Sequence, residues 1–576
     1  MGAEATTATS TGRPERGPAR QRRAALLLGY AAIGFAIYSP CLPGPPVSDD
    51  YGLLLNPWVI DLSAQHTLEL LDPRSQATLV LRNYAPVRPL IQELEWHWFG
   101  QNTQPGILMR MFGVDDPAPA YHAVNVAVHA LTAWLLALLL AQAGLPLAAA
   151  ALGGALFLVH PAAVEAVAWM SQIWGPVGLG FGVGALLLQR RRPAAALALF
   201  ALALLSRPTA VCFLPVAMLR EWSWRREAQG RRWVWMLGWL VVFAALSAAE
   251  LRVFRDSGAA AQSPLHPDPL VHARSVVASA GRYAAMALTG HGVGAFQEPG
   301  PALSWLDPWW LLGVATTTAI GARALVCLRR GREEAAWWAW APAAFLPVSQ
   351  LFPFLYPMAD RYLYFMLPGL IGGVGLAGQD LGARIGDAGR RRLAAGAATA
   401  LAVGAIAGFG VWSHARAALW LSEDRVLADA AAHSPEGVIA HLLRARRSAA
   451  AGDVEQAVAA LGFCRARGWD YYGYLQLHPA FEPVRSAPAF QALIARFADD
   501  RIAAAGRRGR LTQLDLRDLA EAYELRGRSA EAMAALERAL ALGGPLDPEL
   551  RTQLAKLRAR AGREPAAILA PNPEEP

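Results

Sequence analysis

The run YHAVNVAVHALTAWLLALLLAQA, residues 121–143, decides the fold class of this chain. Its length and apolar content suit a transmembrane helix, which takes about 20 residues to cross a bilayer. Three polar side chains, His122, Asn125 and His129, recur three and four positions apart and therefore share one helix face. An apolar helix with one polar face indicates a bundle in which that face meets other helices.

The composition of the whole chain agrees with a membrane protein. The 576 residues are 54% hydrophobic and 17% charged, whereas soluble domains have about 45–50% and about 25%. This excludes an ordinary cytosolic enzyme, and four cysteines are too few for a disulfide-built secreted module. The net charge of +8 comes from arginines at the ends of apolar runs, without a basic stripe interleaved with aromatic residues. We therefore expect no nucleic-acid partner.

Further apolar runs predict an all-α, polytopic bundle of about eleven spans. They lie at 24–43, 147–168, 174–189, 194–206, 208–220, 232–248, 309–328, 335–356, 361–378 and 393–413. If the arginine-rich connections between them are cytoplasmic, the N-terminus is inside and the C-terminal region outside. The two runs flanking Arg207 are each short for a span. An elbow inside the fold, one re-entrant unit and a single kinked span all remain open there.

The composition also divides the chain into parts. Residues 1–23 predict a disordered cytoplasmic segment before a retained signal anchor. Residues 24–413 predict the transmembrane domain, whose outer segments, 44–120 and 249–308, have aromatic patterns typical of helices lying in the membrane interface. The remaining parts are an outward-facing helical repeat domain at 414–570 and a disordered tail at 571–576.

The predicted repeat domain contains two helix pairs. Residues 437–467 indicate two amphipathic helices divided near Gly452, and residues 514–525 and 530–541 indicate a second pair. Small residues at the expected helix crossings resemble tetratricopeptide units, which bury their apolar faces against one another. A generic helical tail is the alternative.

Ionisable residues from distant parts of the chain fall at the predicted outer ends of the spans. Such groups are costly near a membrane unless they are paired or functional. Asp49 and Asp50 follow the first span and could supply a general base. The other candidates are Arg88, His160, Glu165, Arg207, Asp360 and Arg361. Arginines suit the phosphate of an anionic lipid headgroup, and a carboxylate suits an acceptor hydroxyl.

Each candidate also has a structural interpretation. A solvated loop or a helix N-cap accounts for Asp49 and Asp50, and interhelical hydrogen bonds account for the polar face of run 121–143. Asp360 and Arg361 suit a local ion pair at a helix start. No spacing repeats that of a known metal motif, so the sequence leaves a divalent metal open and indicates no other cofactor.

Six motifs in order resemble the transmembrane and tetratricopeptide-repeat protein O-mannosyltransferases and their bacterial relatives, which belong to the C-type (GT-C) glycosyltransferases. The motifs are Asp-Asp at 49–50, Arg-Pro-Leu at 88–90, Tyr-His-x-x-Asn-x-x-x-His at 121–129, His-Pro-x-x-x-Glu at 160–165, Ser-Arg-Pro at 206–208 and Asp-Arg-Tyr-Leu-Tyr at 360–364. The resemblance covers about residues 24–413 in motif order and the C-terminal region in architecture.

The resemblance implies an enzyme of the bacterial inner membrane. It would transfer a sugar, with mannose as the first candidate, from a polyprenyl-phosphate donor to a protein or other hydroxyl acceptor on the outer, periplasmic face. By the family pattern, Asp49 is the base with Asp50 beside it, and Arg88, Arg207 and Arg361 fall at basic positions. The implied partners are the lipid-linked sugar, membrane lipid, and an acceptor or partner protein bound by the repeat domain.

One stretch departs from the family pattern. After Glu165 the family usually has Ser-Gly-Arg-x-Asp, whereas this chain has Ser-Gln-Ile-Trp-Gly at 171–175. An expected cation and an expected carboxylate are missing. A non-catalytic scaffold that binds partner proteins through its repeats is therefore the alternative function. A transporter is a third one, although the spans lack the internal symmetry expected of it.

Overall fold

The computed structural model describes residues 16–50, 56–58, 60, 63–101, 104–225, 232–258, 264–351 and 356–561. These residues are helical apart from turns and one antiparallel pair of two-residue strands, β1 (Gly100–Gln101) and β2 (Gln104–Pro105). The predicted all-α class is confirmed. Residues 1–15 and the predicted tail at 571–576 lie outside the described residues, and the first helix begins at Arg16, so the predicted disorder does not extend to residue 23.

The N-terminal two-thirds of the chain forms a helical bundle, and residues 44–120 between its first two long helices are called the outer segment below. Its helices are α1 (Arg16–Tyr38), α2 (Ala64–Leu71), α3 (Gln76–Leu81), α4 (Val87–Phe99), α5 (Ile107–Phe112), α6 (Ala118–Gln142), α7 (Leu147–Leu158), α8 (Val164–Ala168), α9 (Trp174–Leu188), α10 (Pro193–Ser206), α11 (Phe213–Ser223), α12 (Arg232–Asp256), α13 (Pro269–Thr289), α14 (Pro308–Arg329), α15 (Glu334–Phe345), α16 (Asp360–Ala383) and α17 (Ala388–Ala417).

Several helices are long and apolar enough to cross a membrane. Six described stretches meet this requirement, at Arg20–Cys41, Ala118–Gln142, Met170–Leu188, Arg232–Asp256, Pro308–Arg329 and Ala388–Leu421. Leu237 of α12 and Leu401 of α17 are 61% and 76% exposed, which is expected where lipid rather than water covers the surface. The chain therefore has the features of a membrane protein, while the number and direction of its crossings stay predictions.

Two proline-containing breaks shape the bundle. The predicted continuous run 147–168 is bent by 54°, because His160 caps the turn that starts at Pro161. Between α10 and α11, Arg207 is extended and a 3₁₀ turn follows from Pro208. The predicted break at Arg207 is therefore present.

Close helix contacts depend on glycines. A Cβ at Gly372 of α16 would lie 1.9 Å from the ring of Trp337 of α15. A Cβ at Gly313 of α14 would lie 2.0 Å from the carbonyl oxygen of Val277 of α13. Small residues of this kind let membrane helices approach closely. Helix α13, which falls in the stretch 249–308 predicted to lie in the membrane interface, thus packs against α14.

The C-terminal region is a stack of helices. They are α18 (Glu423–His433), α19 (Val438–Ala450), α20 (Val454–Ala466), α21 (Tyr472–Leu477), α22 (Pro488–Gly506), α23 (Gln513–Leu525), α24 (Ser529–Leu542) and α25 (Asp547–Ala561). The two predicted helix pairs are confirmed as α19–α20 and α23–α24. Thr512 and Asp515 form a capping box that starts α23.

Two attachments of the C-terminal region to the rest of the chain lie on either side of a cavity. Trp58, Leu70 and Ala77 of the outer segment belong to the apolar core of α23–α25. Gln76 donates to the carbonyl of Gly543 at 3.0 Å and accepts from the backbone N–H of Gln513 at 3.0 Å. These contacts form the first attachment.

The second attachment uses Glu298, in the loop before α14. Its carboxylate accepts the backbone N–H of Val438 at 2.8 Å, and its own N–H donates to the hydroxyl of Ser434 at 2.9 Å. Between the two attachments the bundle and the C-terminal region enclose a cavity.

Candidate functional site

The cavity between the bundle and the C-terminal region has a volume of about 1820 Å³. Pockets for small ligands usually have about 300–1,000 Å³. Residues from the outer segment, α12, α13 and the Glu298 loop line one wall, and residues 465–521 line the other. The cavity therefore has room for more than one small molecule.

The two adjacent aspartates have different environments. Asp49 is exposed and lines the cavity. Asp50 is buried and accepts the backbone N–H groups of Val47 at 2.9 Å and Ser171 at 2.8 Å. Burial raises the pKa of Asp50 to about 7, against the effect of these hydrogen bonds. Asp50 therefore fixes the loop, and Asp49 is the carboxylate available to a ligand.

Arg88, in the first turn of α4, lies in the same cavity wall as Asp49. Its side chain is buried, its guanidinium carbon lies 4.8 Å from the ring centre of Trp174, and its Nε has no hydrogen-bond partner among the described residues. Burial lowers the pKa of Arg88 to about 10, with Asp49 and Asp50 acting in the opposite direction. Arg88 is thus charged at neutral pH and retains an unused donor.

Arg207 and Arg361 lie behind Arg88 and are absent from the described cavity wall. Arg207 shares the ring of Trp174, with its guanidinium carbon 4.5 Å from the ring centre. Arg361 forms a buried ion pair with Glu165, which also accepts the Arg361 backbone N–H at 2.7 Å. Glu165 thus neutralises Arg361, whereas Arg207 adds positive potential behind Arg88.

The polar face of α6 makes hydrogen bonds inside the protein. His122 contacts the carbonyl of Gly44 at 3.1 Å, and His129 contacts Tyr364 at 2.9 Å. The Asn125 side-chain amide donates to the carbonyls of Val167, Trp169 and Met170. These contacts support the structural interpretation of this face. They hold the loop that carries Asp49 and the segment that leads to Ser171.

His160 and Asp360 are engaged away from the described cavity wall. The ring nitrogens of His160 contact the backbone N–H of Ala162 and the carbonyl of Ala287. Asp360 accepts from the Gly294 backbone and the Gln297 side chain. The described residues contain no group of three His, Cys, Asp or Glu side chains arranged to hold a metal ion. The structure thus does not bring His160 and Asp360 to Asp49.

The stretch Ser-Gln-Ile-Trp-Gly at 171–175 lies directly behind the aspartates. Ser171 supplies the N–H that Asp50 accepts. The Gln172 side chain accepts from the indole N–H of Trp174 at 3.0 Å. Ser171 and Gln172 therefore support Asp50 and the ring beneath Arg88.

The sequence reasoning missed the aromatic part of the cavity. Tyr356 and the run WDYYGY, residues 469–474, also line the cavity. Tyr471 is 52% exposed. Desolvation of its hydroxyl and the charge of the Asp49 carboxylate together raise its pKa to about 12. Four aromatic residues within six positions were the available signal, but no local pattern links them to Asp49.

The comparison with known families concerns the end of the chain. The tetratricopeptide repeat family matches residues 515–557, which cover most of α23, all of α24 and most of α25. This confirms the repeat prediction there and is consistent with protein–protein interaction. No curated protein matches the chain.

Proposed function

We propose that this membrane protein is a glycosyltransferase that moves a sugar, mannose in the first instance, from a polyprenyl-phosphate donor to a hydroxyl acceptor. The reaction would take place at the periplasmic face of a bacterial inner membrane. One observation carries the proposal: an exposed carboxylate, Asp49, shares a cavity wall with a buried arginine, Arg88, that has an unused donor. Displacement of a phosphate leaving group needs such a base and such a cation.

The proposed reaction is a single displacement at the anomeric carbon. Asp49 takes the proton of the acceptor hydroxyl while the acceptor oxygen forms a bond to that carbon. The bond between the anomeric carbon and the phosphate oxygen breaks, and polyprenyl phosphate leaves with the electron pair. Arg88 binds the phosphate by charge-assisted hydrogen bonds, and Arg207 strengthens the positive potential.

Buried contacts support assigning the direct roles to Asp49 and Arg88. Asp50 is committed to two backbone N–H groups, so it positions Asp49 rather than accepting the proton. Arg361 is committed to Glu165, so we assign the phosphate contact to Arg88 instead.

The test uses purified full-length protein and radiolabelled polyprenyl-phosphate mannose. Asp49→Asn should keep donor binding and lose sugar transfer by about 10²–10⁴-fold, the range of general-base effects. Arg88→Gln should weaken donor binding. Asp115→Asn, an exposed carboxylate outside the cavity wall, is the matched control. Full transfer by Asp49→Asn would refute the base assignment.

A scaffold that binds partner proteins is the second candidate function. The repeat match at 515–557 and the missing cation and carboxylate at 171–175 favour it. A scaffold would retain no label from polyprenyl-phosphate sugars of any kind, whereas a glycosyltransferase would bind at least one.

A further inference from the structure

A second cavity, of about 500 Å³, lies between helices α14 and α16, and Trp338 of α15 completes its lining. Its described lining residues are all different from those of the first cavity. Asp380 of its wall lies 20 residues after Asp360, which is about 30 Å along α16. The second cavity is therefore at the other end of α16 from the Glu165–Arg361 ion pair and is a separate site.

One end of the second cavity is formed by a network of ion pairs. Arg323 of α14 donates to the Glu334 carboxylate from Nε at 2.7 Å and from Nη2 at 3.0 Å. One oxygen of Asp380 accepts from Arg323 at 3.2 Å and from Arg384 at 2.8 Å. The other oxygen lies 2.9 Å from a guanidinium nitrogen of Arg332. Three arginines thus share two carboxylates, so the network has a net charge of +1.

The network leaves donors for a further anion. Arg323 and Arg384 both line the cavity, and the Arg384 side chain is 56% exposed. Among the described residues, none accepts from Nη1 of Arg323 or from Nε and Nη1 of Arg384. A surplus positive charge with planar, unused N–H groups suits the oxygens of a phosphate group.

The rest of the lining is mostly apolar. It includes Ala319 and Ile320 of α14, and Ala377 and Leu381 of α16. Ala319 and Leu381 are exposed on the outside of the bundle, Leu381 at 66%. Because α14 is long and apolar enough to cross a membrane, these side chains are expected to meet acyl chains. The cavity therefore has a positive end and an apolar end, as an amphipathic ligand requires.

We propose that the second cavity binds one anionic phospholipid of the surrounding membrane. Its phosphate contacts Arg323 and Arg384, and one acyl chain lies along α14 and α16. The net charge of +1 favours an acidic lipid over a zwitterionic one, as in other basic clefts between membrane helices. A soluble anion would use the charged end alone and would leave the apolar walls uncovered. The inference does not depend on the proposed glycosyl transfer.

The test titrates the delipidated full-length protein in detergent with phospholipids and counts the bound lipids by native mass spectrometry. The first dioleoyl phosphatidylglycerol should bind about tenfold more tightly than the first dioleoyl phosphatidylcholine. Arg384→Gln removes the surplus charge and should weaken binding of phosphatidylglycerol about fivefold, whereas Arg384→Lys should retain most of it. Arg22→Gln removes an exposed arginine of α1 outside the cavity and should bind as the wild type does.

A second variant tests the apolar walls. Ala319→Trp places a large side chain in the cavity and should weaken binding of phosphatidylglycerol about tenfold. Ala315→Trp is the matched control, because Ala315 is also exposed, lies one turn earlier on α14 and is outside the described lining.

Three results would overturn the inference. Equal affinity for phosphatidylglycerol and phosphatidylcholine would mean that the protein binds lipid without a headgroup site. Unchanged binding in Arg384→Gln or in Ala319→Trp would place the lipid elsewhere. Displacement of the lipid by an equal concentration of glycerol phosphate would show that the ligand is a soluble anion.

Discussion

The Asp50 carboxylate accepts the backbone N–H of Ser171 at 2.8 Å. This bond ties the loop after the first helix to the turn before α9, although the two residues are far apart in the chain. Asp49, the residue directly before Asp50, is thereby held at the cavity wall. The bond also links the aspartate pair to the stretch Ser-Gln-Ile-Trp-Gly at 171–175.

Stability should depend on pH through Asp50. Because its pKa is raised from 3.8 to about 7 in the folded protein, folding favours the protonated form. The contribution of Asp50 to the free energy of unfolding should be greatest below about pH 4. It should fall by roughly 2–4 kcal/mol as the pH rises to about 7. Asp50→Asn should remove this dependence. Thermal unfolding of the solubilised protein between pH 4 and pH 8 measures it, and an unchanged pH profile in the variant would contradict the assignment.

Removing the ring beneath Arg88 should weaken donor binding. Trp174 lies within cation–π distance of both Arg88 and Arg207, and such contacts contribute about 0.5–2 kcal/mol each. Trp174→Ala should therefore weaken binding of radiolabelled polyprenyl-phosphate mannose by about tenfold, whereas Trp174→Phe should retain most of it. Equal affinity in the alanine variant would show that the ring does not position Arg88.

Breaking the Glu165–Arg361 ion pair should affect stability. Both side chains are buried, and loss of one partner leaves an uncompensated charge at a cost of about 3–5 kcal/mol. Glu165→Gln should lower the unfolding temperature, and the double variant Glu165→Gln, Arg361→Met should recover part of the loss. If Glu165→Gln instead keeps its stability and loses donor binding, Arg361 contacts the donor.

Gln76 should control the attachment of the repeat helices. Its three hydrogen bonds to the C-terminal region are worth about 1 kcal/mol each, so Gln76→Ala should increase protease cleavage between α22 and α25. Gln65→Ala is the matched control, because the exposed Gln65 contacts Glu69 of its own helix. Equal cleavage of the two variants would mean that the apolar contacts alone hold the attachment.

The sequence predicted the parts of the fold that depend on local pattern. The helix pairs at 437–467 and 514–541 follow from apolar periodicity, and the break at Arg207 follows from Pro208, which lacks a backbone N–H. Asp49 is a candidate from the sequence because two adjacent carboxylates follow the first apolar run, and Arg88 is one because it is a charged residue in a short aromatic and proline-rich stretch.

Other features depend on tertiary contacts and have no local signal. The local sequence His160-Pro161 is compatible with a histidine that caps a turn and equally with one that binds a ligand. Tyr471 reaches the cavity because two attachments bring the C-terminal region back to the outer segment. Tertiary contacts likewise decide which arginines form ion pairs, as Arg361 does with Glu165.

The shared core of the outer segment and the repeat helices has a consequence for biogenesis. Leu70 packs in the same core as Leu516, so the segment around Leu70 must wait for about 450 further residues to be translated. At about 5–20 residues per second, this takes roughly 20–90 s. During that interval its apolar surface has no final partner, which exposes it to aggregation and proteolysis and makes a chaperone advantageous.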